Sequence, residues 1–492
     1  MRTRILTLLI VFLINHTYLL KSQNLSQVTG FGTNPGNLNM YTYIPNGISG
    51  AAPLVIAMHG CTQSASIYAS QTGWNKLADL HKFYVIYPEQ LATNNSNKCF
   101  NWFDAADQDK NQGEALSIKQ MVDYMINNYS VTPSAIYVTG LSAGAAMSSV
   151  MLADYPEIFR KGAIMAGLPY KAATSSLNAF TAMNGGVTKT PSQWGDLVRN
   201  QNPNYTGTQP HVAIFHGTMD FTVNIANATE LIKQWTDVNG TDQTVDNTYS
   251  SFDGNSIIEK TVYTNNSSDP VVVYYKITGM GHAISLDTGA CPRQGGVTGT
   301  YALEKDFHST YWAADFFNIL INPYTVTGSG QVAFSATNET YSVPSTNGST
   351  YTWTVPSGAA IVSGQGTNNI IVNFGNNNGN IEVVETTSGG CVNDIAKIYV
   401  NVGSSSLPSI EAEQANFFYD VYGNTIVALN TDISKFKSLM IFNSIGQKVD
   451  KEYFIQGNKI VLGSDLVPGL YIVTINTGKK QFTFKMVAGK KL

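Results

Sequence analysis

At 492 residues the chain is longer than one ordinary hydrophobic core organises, so two to four domains are expected. Charged residues make up 13% of it and the formal net charge is −4, with Gly, Asn, Ser and Thr filling the gap. No Lys/Arg cluster could track a phosphate backbone, which argues against nucleic acid as a partner.

The chain opens with Arg2 and Arg4 ahead of the apolar run ILTLLIVFLI, residues 5–14. The run is short for a bilayer span and reads as a secretory signal over residues 1–22, with a membrane anchor as the alternative. No A-x-A precedes the expected cleavage near Ser22 and Gln23, and no Cys stands there to take a lipid. No later segment reaches the ~18 consecutive apolar residues of a transmembrane helix, so an exported protein without stable membrane insertion is expected. Export permits disulfides. Of the four cysteines, Cys61 and Cys99 lie in one region, while Cys291 and Cys391 are isolated and have no assigned partners. None forms C-x-x-C, so no structural metal is expected.

From about residue 40 to residue 323, apolar β-branched runs alternate with helical patterns. PLVIAMHG, FYVIYPEQ, AIYVTG, KGAIMAG, HVAIFHG and VVVYYKITGMGH read as buried parallel strands. GEALSIKQMVDYMINNY, AGAAMSSVMLADY, NATELIKQWTDV and LEKDFHSTYWAADFFNIL read as helices between them. The alternation predicts a mostly parallel sheet flanked by helices over residues 23–323. After Pro323, short alternating runs separated by Gly, Asn and Ser predict an immunoglobulin-sized β-sandwich over residues 324–402. GSSSLPSIEAEQ reads as a linker, residues 403–414, and a second small all-β unit, residues 415–492, closes the chain.

The chemistry centres on IYVTGLSAGAAM, which contains Gly140-Leu141-Ser142-Ala143-Gly144. This composition yields G-x-S-x-G by chance often enough that the pentapeptide decides nothing alone. Its position is more informative. Ser142 follows a predicted strand and opens a predicted helix, the context in which a sharp turn lifts a serine hydroxyl above a sheet. A serine needs a base. Seven histidines are available. His16 belongs to the signal, His81 and His308 fall in helical patterns, and His59, His211 and His216 sit at strand ends. His282, in KITGMGHAISLD, lies in a Gly-rich loop after the last strong strand, where such a sheet builds its site. It is the expected base. With the order Ser, acid, His, the best-placed acid is Asp220 in HVAIFHGTMDFTVN, with Asp196 and Asp237 as rivals. Two backbone N–H groups should receive the oxyanion: Ala143, and Cys61 in the loop HGCTQS, with Thr62 as the second choice.

LVIAMHGCTQSA, FYVIYPEQ, NKCFNWFDAADQDKNQGEALSIKQMVDYM, GLSAGAAM, HGTMDFTV and GMGHAISLD, taken in order, resemble the secreted esterases related to polyhydroxybutyrate depolymerases. That group also contains the feruloyl and acetylxylan esterases of carbohydrate esterase family one. The resemblance implies an α/β-hydrolase fold followed by two small all-β domains, a triad of Ser142, Asp220 and His282, and no cofactor. Ala145 stands where the family commonly has Gly. Cys61 and Cys99 match a cysteine pair seen in relatives and are expected to be joined. Trp102 and Phe103 are placed near the substrate pocket, with core packing as the alternative for each. The stretch from LMIFNSIGQKVD to the end resembles the C-terminal sorting domain read by the type IX secretion system, and YTWTVPSGA resembles part of a PKD-like module. The implied protein is secreted or surface-attached. It hydrolyses feruloyl, acetyl or polyhydroxyalkanoate esters, polymeric or small, and meets the secretion machinery through its tail. A non-catalytic adhesion protein and a peptidase on the same fold are the rival readings.

Overall fold

The computed structural model describes residues 25–321, 324–403 and most of 416–488. The expected signal and its cleavage point lie outside the described residues, as does nearly all of the expected linker.

Ten strands form the principal sheet: β1 (Ser26–Val28), β2 (Asn39–Tyr43), β3 (Ala52–Met58), β4 (Tyr84–Glu89), β5 (Val131–Leu141), β6 (Lys161–Met165), β7 (His211–Gly217), β8 (Asn247–Tyr249), β9 (Ile258–Thr264) and β10 (Pro270–Ile277). Their order is β1-β2-β4-β3-β5-β6-β7-β10-β9-β8. The central strands β4 to β10 in that order run parallel, as their apolar runs predict. Both margins are antiparallel, β1 and β2 on one side and β9 and β8 on the other. These marginal strands are short or only partly buried, and their sequences carry little of the continuous apolar signal that marks a doubly covered strand.

Helices cover both faces. α1 (Ala65–Thr72), α2 (Trp74–His81) and, at the far end, Ser309–Phe317 pack on one. The other carries Gly113–Asn128, Ala143–Asp154, Pro191–Arg199 and Ala226–Val238. Successive residues of each central strand therefore enter different cores. In β3, Leu54, Ile56 and Met58 join one cluster and Val55 and Ala57 the other. A strand buried on both faces has no position for a polar side chain, which is why these segments read as unbroken apolar runs.

One predicted helix starts late. In LEKDFHSTYWAADFFNIL the first residues belong to a strand, Ala302–Glu304, parallel to Ile284–Leu286, and the helix begins only at Ser309. The N–H groups of Lys305 and Phe307 donate to the Leu286 carbonyl, at 2.9 and 3.2 Å, which holds this segment extended.

The β-sandwich pairs a four-stranded sheet with a three-stranded one around Tyr341, Trp353, Ile370, Val372, Ile381 and Val400. The Trp353 indole N–H donates to Thr367 O at 2.7 Å, satisfying the polar edge of the largest core side chain. It packs with the sheet domain as one unit, and residues 403–492 form a second. Cys291–Cys391 joins sheet domain to sandwich, and Tyr311 donates to the Asp394 carboxylate across the same junction. Arg293 lies 5.2 Å from the Tyr311 ring and 5.0 Å from Trp312 and pairs with Asp253 at 2.8 Å. From α2, Lys76 Nζ donates to the carbonyls of Gly289, Cys291 and Gln294, so the loop bearing Cys291 is held from both sides. The second unit has two small antiparallel sheets around Ile426, Ile441, Ile460, Val473 and Ile475.

Both disulfides close long loops, with separations of 38 residues for Cys61–Cys99 and 100 for Cys291–Cys391. The chain-entropy account gives about 4 and about 4.7 kcal/mol, respectively. Cys99→Ser and Cys391→Ser should each lower the calorimetric Tm under non-reducing conditions. An unchanged Tm in either variant would remove that bond's assigned role.

Candidate active site

Ser142 stands between β5 and the helix Ala143–Asp154 with φ 57° and ψ −118°, a conformation a side-chain-bearing residue adopts only when its surroundings enforce it. The enforcement is packing. A Cβ on Gly144 would overlap the carbonyl oxygens of Met58 and His59 at the end of β3, and one on Gly140 would overlap the backbone of Gly144. The two glycines thus let the turn sit against the neighbouring strand, and the Ser142 N–H is held by Met165 O at 2.9 Å. Every residue of the helix that follows is buried, and apart from Asp154 at its end the sequence is small or apolar on all sides.

Asp220 and His282 come from adjacent strand ends, beyond β7 and β10. The two loops are laced together. The Met219 N–H donates to Met280 O at 2.9 Å, the Thr218 N–H to Ile277 O at 3.0 Å, and the Gly279 N–H to Thr218 Oγ1 at 2.9 Å. His282 Nδ1 donates to Asp220 Oδ2 at 2.7 Å. The other carboxylate oxygen accepts the N–H groups of Thr222 and Val223, both at 2.9 Å. Burial alone would raise the Asp220 pKa, but the nearby His216 ring, the hydrogen bonds from His282 and the Val223 N–H, and attraction to His282 hold it well below the usual carboxylate range. A depressed carboxylate contributes stability above its unfolded pKa and loses it only as pH falls through the folded value, so Asp220 is ionised at every ordinary working pH. Neither Ser142 Oγ nor His282 Nε2 has a hydrogen-bond partner among the described residues.

Among the other histidines, His59, His216 and His308 engage backbone groups, although His216 Nδ1 has no partner among the described residues. His59 Nδ1 meets Gly60 O at 2.7 Å while its Nε2 accepts the Gln90 N–H at 3.1 Å, and burial brings its pKa down to about 4. His216 Nε2 donates to Val223 O at 2.8 Å. His308, which caps the helix Ser309–Phe317, faces the carbonyls of Arg293 and Thr72. The rival acids, Asp196 and Asp237, pair with Arg199 at 2.8 and 2.7 Å and are not brought to His282.

The loop after β3 reaches the serine: a Cβ built on Gly60 would lie 3.5 Å from the Ser142 Cβ. Its N–H groups divide clearly. Gly60 donates to Gln63 Oε1 at 2.8 Å and Thr62 to Asn97 O at 2.7 Å, which removes Thr62 as an oxyanion donor. The Cys61 and Ala143 N–H groups have no acceptor among the described residues. Cys61 is bonded to Cys99. Trp102, 4% exposed, is part of the core and meets Phe103 edge-on at 5.5 Å, while Phe103 is half-buried. Sequence reasoning missed several exposed apolar side chains. Met219 and Phe221 flank Asp220 and are exposed, Phe221 at 81%, as are Leu177 and Phe180 on the helix Ser176–Met183. Periodicity reports buried faces, so exposed apolar loop residues give no such signal. Among the described residues, the acids close enough to share a metal ion are Asp287, Glu304 and Asp306. Oxygens of Asp287 and Glu304 accept from Gln294 and from the N–H groups of Thr288, Lys305 and Asp306.

An unengaged hydroxyl on a forced turn, an imidazole oriented by an ionised carboxylate and two unengaged N–H groups are the components of acyl transfer. The family model described as Esterase PHB depolymerase matches residues 38–257. A PKD-like domain matches 319–402 and a secretion system C-terminal sorting domain 421–489. Poly(3-hydroxyalkanoate) depolymerase C of Paucimonas lemoignei is 50% identical over 298 residues, covering 60% of this chain and 70% of the relative. Feruloyl esterase B of Talaromyces stipitatus is 34% identical over 283 residues, 56% of this chain and 76% of the relative. Among solved structures, an acetyl xylan esterase from Aspergillus awamori aligns at 32% identity with a TM-score of 0.49, covering 53% of this chain and 94% of that one. The sorting domain marks an extracellular or cell-surface protein, and no helix among the described residues is long and apolar enough to cross a membrane. The chain belongs to the esterase PHB depolymerase family and is a secreted carboxylic-ester hydrolase.

Proposed function

We propose that Ser142, Asp220 and His282 are the catalytic triad and that hydrolysis proceeds through an acyl-enzyme on Ser142. The observation that carries this is the 2.7 Å hydrogen bond from His282 Nδ1 to the buried, ionised Asp220, with Ser142 on its enforced turn. Ser142 Oγ attacks the ester carbonyl and its proton passes to His282 Nε2. The Cys61 and Ala143 N–H groups receive the developing oxyanion. Collapse expels the alcohol, protonated by His282, and the same imidazole then activates the water that releases the acid.

The substrate is an ester carried on a polymer. The first reading is feruloyl or acetyl groups of plant polysaccharide. The second, a polyhydroxyalkanoate backbone, is favoured by the 50% identical relative and by the exposed apolar side chains of Met219 and Phe221 on either side of Asp220. Phe103 would line the pocket, with Trp102 packed behind it. Residues 23–323 carry the chemistry, 324–402 the sandwich, and 415–492 engage the secretion machinery.

In a folded protein, Ser142→Ala or His282→Ala should lower kcat on a p-nitrophenyl ester by on the order of 10⁶, with little further loss in the double variant. Asp220→Asn should cost about 10⁴ because the imidazole loses its tautomer. Near-wild-type turnover of Ser142→Ala would end the triad assignment. Product release from feruloylated xylan, acetylxylan and polyhydroxybutyrate separates the substrate readings; release confined to polyhydroxybutyrate would leave only the second. A chain ending at Gln414 should keep its small-ester activity yet fail to leave the native host, and equal secretion would contradict the tail's role.

A further inference from the structure

We propose that His216 is a positioning residue for the triad acid: from the end of β7 it clasps the far side of the loop that carries Asp220, and so holds the carboxylate in place for His282. The proposal rests on the triad assignment and adds the group that fixes its acid.

His216 is the penultimate residue of β7 and is fully buried. The strand is paired on both sides, with β6 and β10, so the sheet fixes its end. Gly217 adds to this: a Cβ there would overlap the Met280 and Gly281 carbonyls, so the strand end lies directly against the loop bearing His282. From this base the His216 ring spans the loop that follows. Nε2 donates to Val223 O at 2.8 Å, and the same nitrogen lies 3.4 Å from Asp220 Oδ2. A carbonyl oxygen can only accept, so Nε2 carries the hydrogen. Nδ1 has no partner among the described residues, so the ring acts on the loop through Nε2 alone.

Val223 is the residue through which the clasp reaches the acid. Its N–H and that of Thr222 donate to Asp220 Oδ1, both at 2.9 Å, while Oδ2 accepts from His282 Nδ1 at 2.7 Å. One oxygen is thus fixed by the loop and the other is presented to the imidazole, so the orientation of the carboxylate depends on where Val223 lies. The middle of the loop is not anchored by its own apolar side chains, because Met219 and Phe221 are exposed. Hydrogen bonds hold it instead. The half before Asp220 is laced to the β10 loop through Thr218 and Met219. The half after it is held by His216 and, one residue beyond Val223, by the Asn224 N–H on Met183 O at 2.7 Å. Val223 is buried, so without the imidazole its carbonyl would have no solvent to turn to.

The test compares matched side chains in the full chain. In His216→Gln the amide nitrogen can reach the Nε2 position and donate to Val223 O; in His216→Asn it stops at the Nδ1 position. His216→Phe keeps the ring volume and removes both nitrogens. On p-nitrophenyl butyrate, His216→Asn and His216→Phe should lose about 10²-fold in kcat, the scale of a slightly misplaced group, with KM within about threefold of wild type. His216→Gln should recover most of that loss. Because His216 acts through Asp220, adding His216→Phe to Asp220→Asn should cost less than about threefold more, whereas a merely structural histidine would cost the same in both backgrounds. Circular dichroism and Tm confirm folding, and if one variant does not fold the remaining comparisons decide. Wild-type kcat in folded His216→Asn or His216→Phe, equal losses in Asn and Gln, or an undiminished further loss in the Asp220→Asn background would overturn the proposal. Asp220→Asn alone is the separate control. Should it keep wild-type turnover, the triad assignment fails; should it be impaired while His216→Phe is normal, only the role of His216 fails.

Discussion

The close approach of the Ser142 turn to the end of β3 is the constraint on which the site depends. Gly144 lies against the Met58 and His59 carbonyls, and this contact leaves no room for a side chain. The same contact carries Ser142 into its left-handed φ of 57° and lays the loop after β3 beside it. Strain of this kind, of order 1–3 kcal/mol, persists only where surroundings over-determine it. Here the surroundings are the middle of a sheet covered on both faces and a helix, Ala143–Asp154, buried along its whole length. The helix even encloses a carboxyl: burial pushes Asp154 well above its ordinary pKa.

The electrostatics follow a similar economy. Histidines cluster at this end of the sheet; His282 has one ring nitrogen hydrogen-bonded to a buried carboxylate and the other without a partner among the described residues. His59, His216 and His308 each face backbone carbonyls and serve as fasteners. An ionised Asp220 in a buried setting is tolerated because two backbone N–H groups and the His282 N–H satisfy its oxygens. Asp220 is therefore already charged in the protein as folded.

Beyond the site, the sandwich is part of the same packed unit as the sheet domain. Cys391 is tied to the loop that follows His282, and Lys76 holds that loop from the opposite side through three carbonyls. The sorting unit has an apolar core of its own.

Much of this organisation was determined by the sequence itself. A strand covered on both faces must be apolar at every position, so the central strands announced themselves as unbroken runs, and G-x-S-x-G between a strand and a helix marked the turn. The order Ser142, Asp220, His282 reflects connectivity, which a sequence states outright. Other features depended on which segments meet in space. Whether the segment at residues 302–304 forms helix or strand was decided by the carbonyl of Leu286, more than a dozen residues earlier. Cys291 and Cys391 are paired across 100 residues with no local pattern linking them. That the Thr62 N–H is engaged while the Cys61 N–H has no acceptor among the described residues depends on Asn97, whose carbonyl takes the former. Local periodicity encodes which face of an element is buried; the allotment of each hydrogen bond is known only when the loops have found their partners.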